Sequence, residues 1–142
     1  MKLRRPSDIK QAASNFCNVC GVIAGFGITL IVVLLTNELS PKLSQVQDSV
    51  VALLFISSGL YINGAGILGN ASRLPMRKSL KAYNIGIVLF HLGNLLLISS
   101  FLIIFVVMKL PITSFIAVLL IIIAFFTLIL NLKEIINPGI KK

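Results

Sequence analysis

Apolar residues occur along this chain in four long blocks that short polar segments separate. The blocks cover residues 17–36, 50–70, 85–108 and 111–132, and none contains Asp, Glu, Lys or Arg. A helix needs about 20 residues to cross the hydrocarbon core of a bilayer, and every block reaches that length. The pattern therefore predicts an all-α membrane protein, a single domain over residues 1–142 with four transmembrane helices.

Composition agrees with a lipid environment. The chain is 57% hydrophobic and 12% charged, whereas soluble domains are roughly half apolar and about a quarter charged. A soluble fold of this size would leave an oily, aggregating surface. The first block follows basic residues, as a signal peptide does, but it exceeds the usual length of about 7 to 15 residues for a signal core. We expect it to remain in the mature protein.

Basic residues predict the orientation. If both tails and the second connection are cytoplasmic, eleven of the 13 Lys and Arg residues lie inside, as the positive-inside rule requires. We expect an integral protein with both termini in the cytoplasm, in a bacterial inner (plasma) membrane. The net charge of +9 then needs no nucleic acid as a partner. Anionic lipid headgroups, or an acidic partner, are expected to contact a basic patch in the second connection, formed by Arg73, Arg77, Lys78 and Lys81.

The segment before the first block is amphipathic. Ile9, Ala12, Ala13 and Phe16 share one helical face, and Ser7 can cap the first turn. This spacing predicts a short N-terminal interfacial helix on the inner leaflet.

Small residues indicate which helices pack closely. Glycine lets two backbones approach in a membrane, where lipid supplies no hydrophobic drive for helix association. Gly21 and Gly25 form a stripe on the first predicted helix, and Gly59 and Gly66 lie on one face of the second. We expect these two helices to form the close-packed centre. The fourth block has no glycine and is predicted to be a lipid-facing wall.

Polar residues inside the blocks concentrate toward the cytoplasmic side. His91, the single histidine, lies about 12 Å beyond the expected entry of the third helix at Tyr83. Asn63 and Asn94 are its predicted hydrogen-bond partners. One interpretation is a neutral ring that fixes helix register, and the other is a gate or proton-sensitive switch, since histidine titrates near physiological pH. The predicted polar or pore-lining cluster comprises Ser57, Asn63, Asn84, His91 and Asn94.

Catalytic and metal-binding patterns are weak. Cys17 and Cys20 form a CxxC that could, with His91, supply three soft ligands, but a closed zinc site has four. The four acidic residues all lie outside the blocks, and no nucleophile with a positioned base can be assembled. We therefore expect no enzyme activity, no cofactor and no metal.

Two functions remain from these patterns. The first is an accessory, sensor or assembly subunit that acts through helix packing in a homo- or hetero-oligomeric membrane complex. The alternative is a homo-oligomeric channel or pore, a class that includes membrane-permeabilising effectors, with His91 near the inner vestibule. Such a pore would have to form between subunits, because four helices enclose little space alone.

Overall fold

Four long helices and one short helix make up the described part of the chain. The computed structural model describes residues 6–136, without the side chains of Pro6, Arg77 and residues 134–136. The helices are α1 (Pro6–Thr36), α2 (Pro41–Ser44), α3 (Gln47–Ala71), α4 (Met76–Val107) and α5 (Pro111–Ile136). The long helices α1, α3, α4 and α5 are each long and apolar enough to cross a membrane. The predicted all-α chain with four such helices is confirmed for these residues.

The N-terminal amphipathic segment is continuous with the first apolar block. It forms one helix of 31 residues, and no break separates an interfacial helix from the rest of α1. Ile9 and Ala13 are buried at 2% and 0% exposure, so the apolar face of this segment packs against protein. The Ser7 hydroxyl donates to the Asp8 carboxylate instead of capping a backbone N–H. Pro6 begins the helix, where its missing N–H costs nothing.

The centre of the molecule is formed by three helices. α3 packs against both α1 and α4, and α1 also contacts α4. Among the described helices, α5 packs against α4 alone. A buried cluster joins α1 to α3 and contains Ala13, Cys20, Ala24, Tyr61, Leu68 and Ala71. The fourth apolar block thus forms an outer helix, most of whose large side chains are exposed.

Close approach of α3 and α4 depends on two glycines of α4. A Cβ at Gly86 would lie 2.5 Å from Cγ of Leu68, and one at Gly93 would lie 3.0 Å from Cζ of Tyr61. Leu68 and Tyr61 are themselves buried, so neither can move aside without a cost in packing. These glycines let dispersion contacts form between the two backbones.

The four glycines selected from the sequence do not form the contact between α1 and α3, although these two helices do pack against each other as expected. A Cβ at any of these four positions would meet no atom within 4 Å; they are Gly21, Gly25, Gly59 and Gly66. Each helix carries small residues on more than one face, and periodicity alone does not distinguish the inward face. α1 instead meets α3 at Cys17 and Cys20, which lie against Gly69 and Gly64.

Both tight turns between long helices are closed by hydrogen bonds. At the α3–α4 turn, the buried Ser79 hydroxyl donates to the Ala71 carbonyl at 2.7 Å. At the α4–α5 turn, Lys109 adopts a left-handed φ of 56°. The backbone N–H groups of Lys109 and Leu110 donate to the carbonyls of Val106 and Phe105. This is a Schellman ending with lysine at the position that usually holds glycine, and it sets α5 against α4.

Candidate functional site

His91 joins α4 to α5 through one hydrogen bond. Nδ2 of Asn131 lies 3.0 Å from Nε2 of His91, and the same nitrogen donates to the Thr127 carbonyl at 2.9 Å. The imidazole is half-buried and meets the Phe90 ring edge-on, with 5.5 Å between ring centroids. The partner of the histidine is therefore an amide of the fourth apolar block, and the predicted partners Asn63 and Asn94 bond elsewhere.

Asn94 and Ser57 belong to the interface between α3 and α4. The Tyr61 hydroxyl donates to Oδ1 of Asn94. The Ser57 hydroxyl donates to the Gly93 carbonyl at 2.9 Å, and Ser57 is 1% exposed. Burying a hydroxyl is favourable only when it is bonded, and both hydroxyls here are satisfied across the helix pair. These bonds fix the register of α3 against α4.

The two other polar residues predicted for the cluster occupy different places. Asn63 is exposed on α3, and its Nδ2 donates to the Gly59 carbonyl of the same helix at 2.8 Å. Asn84 is half-buried on α4, seven residues before His91. Four of the five residues thus divide among three places: Ser57 and Asn94 lie at the α3–α4 interface, His91 at the α4–α5 interface and Asn63 on the exposed surface of α3. No side-chain hydrogen bond in the described residues joins His91 to the other four.

An aromatic group packs α1 against α3 and α4. Phe16 meets Phe90 edge-on at 5.3 Å and Tyr83 at 6.4 Å between ring centroids. Phe90 in turn meets Tyr61 at 5.9 Å. Edge-to-face pairs of this kind add about 0.5–1.5 kcal/mol beyond their buried area. The sequence pattern predicts no contact for Tyr61 or Phe90, although both lie within a few residues of the predicted polar cluster.

The cysteines and the histidine face different helices. Cys20 is buried against Gly64 of α3, and Cys17 lies against Gly69, whereas the ring of His91 is bonded to α5. Among the described side chains, which do not include that of Glu134, no three from His, Cys, Asp or Glu are grouped closely enough to hold a metal ion. The weaker alternative of a metal site at Cys17, Cys20 and His91 has no geometric basis in this part of the chain.

The basic patch lies at the α3–α4 turn. Arg73, Lys78 and Lys81 are exposed there, and the side chain of Arg77 lies outside the described residues. Exposure suits contact with phosphate headgroups, and contact with anionic lipid stays a prediction.

Comparisons with known proteins supply no relative. The chain matches no protein-family model, no curated protein and no solved structure. Its function has to be argued from the residues and their packing.

Proposed function

We propose that this chain acts through helix packing, as an accessory, sensor or assembly subunit of a homo- or hetero-oligomeric membrane complex. The observation that carries the proposal is an outward small-residue face on α1 and α3. We define this face by Asn18, Gly21 and Gly25 on α1 and by Asn63 and Gly66 on α3, all of which are exposed. An added Cβ at any of the three glycines would touch nothing in the chain.

A glycine on the lipid-facing surface of a helix destabilises that helix unless a neighbouring helix packs against it. Each glycine in a helix interior costs about 1 kcal/mol relative to alanine, and a lone helix surface in lipid recovers none of that cost. A second helix does recover it, because the missing side chains allow close backbone contact. The outward small-residue face is thus suited to a helix that this chain does not itself provide.

The polar side chain of Asn63 is a second feature of this face that favours a partner helix. It lies eight residues before the end of α3 at Ala71, well inside the predicted apolar block. Its Nδ2 is bonded to the Gly59 carbonyl, but its Oδ1 accepts no hydrogen bond from the described residues. An amide left open toward lipid is costly, and a hydrogen bond to a neighbouring membrane helix contributes about 0.6 kcal/mol on average.

The two parts of the face lie beside the same helix contact. Gly21 follows Cys20 and lies four residues after Cys17, and both cysteines are among the α1 side chains that contact α3. Gly66 lies between Gly64 and Gly69, the α3 positions that receive them. Small residues are therefore close in sequence to the α1–α3 contact on both helices, and they leave part of each helix backbone open to a partner helix.

The test is the association state of Gly21→Leu and Gly25→Leu. Both variants are expected to fold, since both glycines are exposed and a Cβ at either position meets no described atom within 4 Å. Native mass spectrometry in mild detergent, after crosslinking in the membrane, would report copies and bound partners. We expect the complexes of the parent chain to be lost in both variants. Val22→Leu is the matched control, because Val22 is 75% exposed on the same helix, and it should retain them.

Unchanged complexes in both glycine variants would contradict the proposal, as would a parent chain that is monomeric and unpartnered in its own membrane. The pore alternative has no comparable support from the geometry. Ser57 and Asn94, which were expected to line it, are bonded within the α3–α4 interface, so a pore lined by them would require those bonds to break.

A further inference from the structure

The C-terminal end of α5, near Leu128 and Asn131, makes few contacts with the rest of the molecule. We call it the inner end of α5, because it is predicted to lie toward the cytoplasm. α5 packs against α4 alone among the described helices. Only Ala117 and Leu128 are buried among its described side chains. The α4–α5 turn fixes its outer end, whereas Leu128 and Asn131 lie near the opposite end. The bond between Asn131 and His91 is the one side-chain hydrogen bond between α4 and α5 in the described residues.

The geometry of Asn131 determines the protonation state of His91. Nδ2 of Asn131 lies 2.9 Å from the Thr127 carbonyl oxygen, and a carbonyl only accepts. The amide atom at that position must therefore be the nitrogen. The same nitrogen lies 3.0 Å from Nε2 of His91 and turns its second N–H toward the ring. Nε2 must then carry a lone pair, so the ring is the neutral tautomer with its proton on Nδ1.

Protonation of the ring is incompatible with this arrangement. A protonated imidazole donates from both nitrogens, so an Nε2–H would oppose an N–H of Asn131. Rotating the amide by half a turn would turn Oδ1 toward Nε2–H, but it would place the same oxygen against the Thr127 carbonyl. Either orientation loses a hydrogen bond that the neutral ring allows.

We infer that His91 and Asn131 form a proton-sensitive contact that holds the inner end of α5 on α4 while the ring is neutral and releases it when the ring is protonated. The contact is complete at pH values above the pKa of His91 and is lost as the pH falls through it. This inference does not depend on the proposed function, because it concerns α4 and α5, whereas the outward small-residue face lies on α1 and α3.

Other titratable groups near this contact are directed elsewhere. The Tyr61 hydroxyl of α3 is bonded to Asn94, and the Tyr83 ring of α4 meets Phe16. Lys133 of α5 is exposed. The thiols of α1 lie against α3. Glu134 follows Asn131 by three residues and has no described side chain, so the experiment must separate its charge from that of His91.

The first measurement is the nitrogen spectrum of the ring. The chain has one histidine, so ¹⁵N-histidine labelling in lipid bilayers gives a single, unambiguous pair of signals. At about pH 8 the shifts should identify a proton on Nδ1 and none on Nε2, and at about pH 5 they should report the imidazolium. A proton on Nε2 at the higher pH, or no titration in this interval, would overturn the inference.

The second measurement is the distance between the inner ends of α4 and α5. Spin labels at Lys81→Cys and Lys133→Cys, in a Cys17→Ala, Cys20→Ala chain, report it by pulsed electron resonance. We expect a single short distance at the higher pH and a shift of population to longer distances at the lower pH. A ring that titrates without any change in this distance would refute the release step.

Four variants connect the two measurements. His91→Gln keeps an acceptor that does not titrate and should show the short distance at both pH values. Asn131→Leu removes the hydrogen bond and should show the longer distances at both. Phe126→Leu is the matched control, since Phe126 is 62% exposed on the same helix. It should behave like the parent chain, and so should Glu134→Gln; a pH response lost in Glu134→Gln would assign the effect to that carboxylate instead.

Discussion

At the scale of single residues, two kinds of glycine have opposite consequences. Gly86 and Gly93 lie under the buried side chains of Leu68 and Tyr61, and their lack of a Cβ determines how closely α3 and α4 approach. Gly66 on α3 faces outward with open space around it. The same residue type therefore contributes to folding at the first two positions and is free for association at the third.

Gly86→Ala should destabilise the chain by about 1–3 kcal/mol, the usual cost of inserting a methyl group into a packed interior. The added Cβ would lie 2.5 Å from Cγ of Leu68, which is fully buried. Unfolding by sodium dodecyl sulfate in mixed micelles, followed by circular dichroism, measures the change. Gly66→Ala is the control and should leave the free energy of unfolding unchanged or raise it by up to about 1 kcal/mol. Equal destabilisation of both variants would contradict the assignment of the two faces.

At the scale of the helices, α3 and α4 are paired by polar bonds as well as by apolar contact. The Ser57 and Tyr61 hydroxyls of α3 both reach groups on adjacent residues of α4, Gly93 and Asn94. Hydrogen bonds from hydroxyl groups are directional. These two bonds therefore select one register of α3 against α4 from the several that purely apolar helix surfaces would permit. α5 makes one such bond to α4, which is why its inner end is the part we expect to separate first.

Tyr61→Phe should weaken the α3–α4 pair by about 0.6 kcal/mol, and by no more than about 1.7 kcal/mol. The substitution keeps the ring against Gly93 and Phe90 but leaves Oδ1 of Asn94 without its donor. The same unfolding assay measures it. Tyr83→Phe removes a hydroxyl that donates no hydrogen bond to the described residues, and it should have little effect. An equal loss in both variants would show that the Tyr61 hydroxyl contributes no specific stabilisation.

At the scale of the whole molecule, four helices are long and apolar enough to cross a membrane. If all four cross it, both ends of the described chain and the α3–α4 turn lie on one side, and the α1–α3 and α4–α5 connections lie on the other. Basic residues of the tails and of the α3–α4 turn then meet the same leaflet, which agrees with the positive-inside rule. The basic patch, the inner end of α5 and the His91–Asn131 contact are therefore expected to face the cytoplasm.

Single cysteines should report this orientation directly. In a chain with Cys17→Ala and Cys20→Ala, Lys42→Cys and Lys109→Cys should react with an impermeant maleimide added outside intact cells. Arg73→Cys should react only after the membrane is opened, because its connection is predicted to be cytoplasmic. Labelling of Arg73→Cys in intact cells would reverse the orientation. It would also place the proton-sensitive contact on the outer side.

Much of the architecture follows from the sequence because lipid imposes a local rule. A backbone inside a bilayer must satisfy its own hydrogen bonds, so each uncharged apolar block of sufficient length becomes a helix. The predicted blocks fall within α1, α3, α4 and α5, except that Met108 of the third block follows the last residue of α4. The exposed character of α5 was also predictable, because an aliphatic helix without glycine offers no face for close packing. The continuity of α1 from Pro6 was missed because the amphipathic segment carries lysine and asparagine on its exposed face.

Which faces of the long helices contact one another was decided by the tertiary structure alone. Gly21 and Gly64 are equally small, but only Gly64 lies in a helix contact. His91 could reach several amides at a similar depth, and it is bonded to Asn131. The physical reason is that lipid is as apolar as the side chains it surrounds, so hydrophobicity does not rank the faces of a membrane helix. The shape of side chains such as Leu68 and Tyr61, and the direction of a few hydrogen bonds, make that choice after the helices come together.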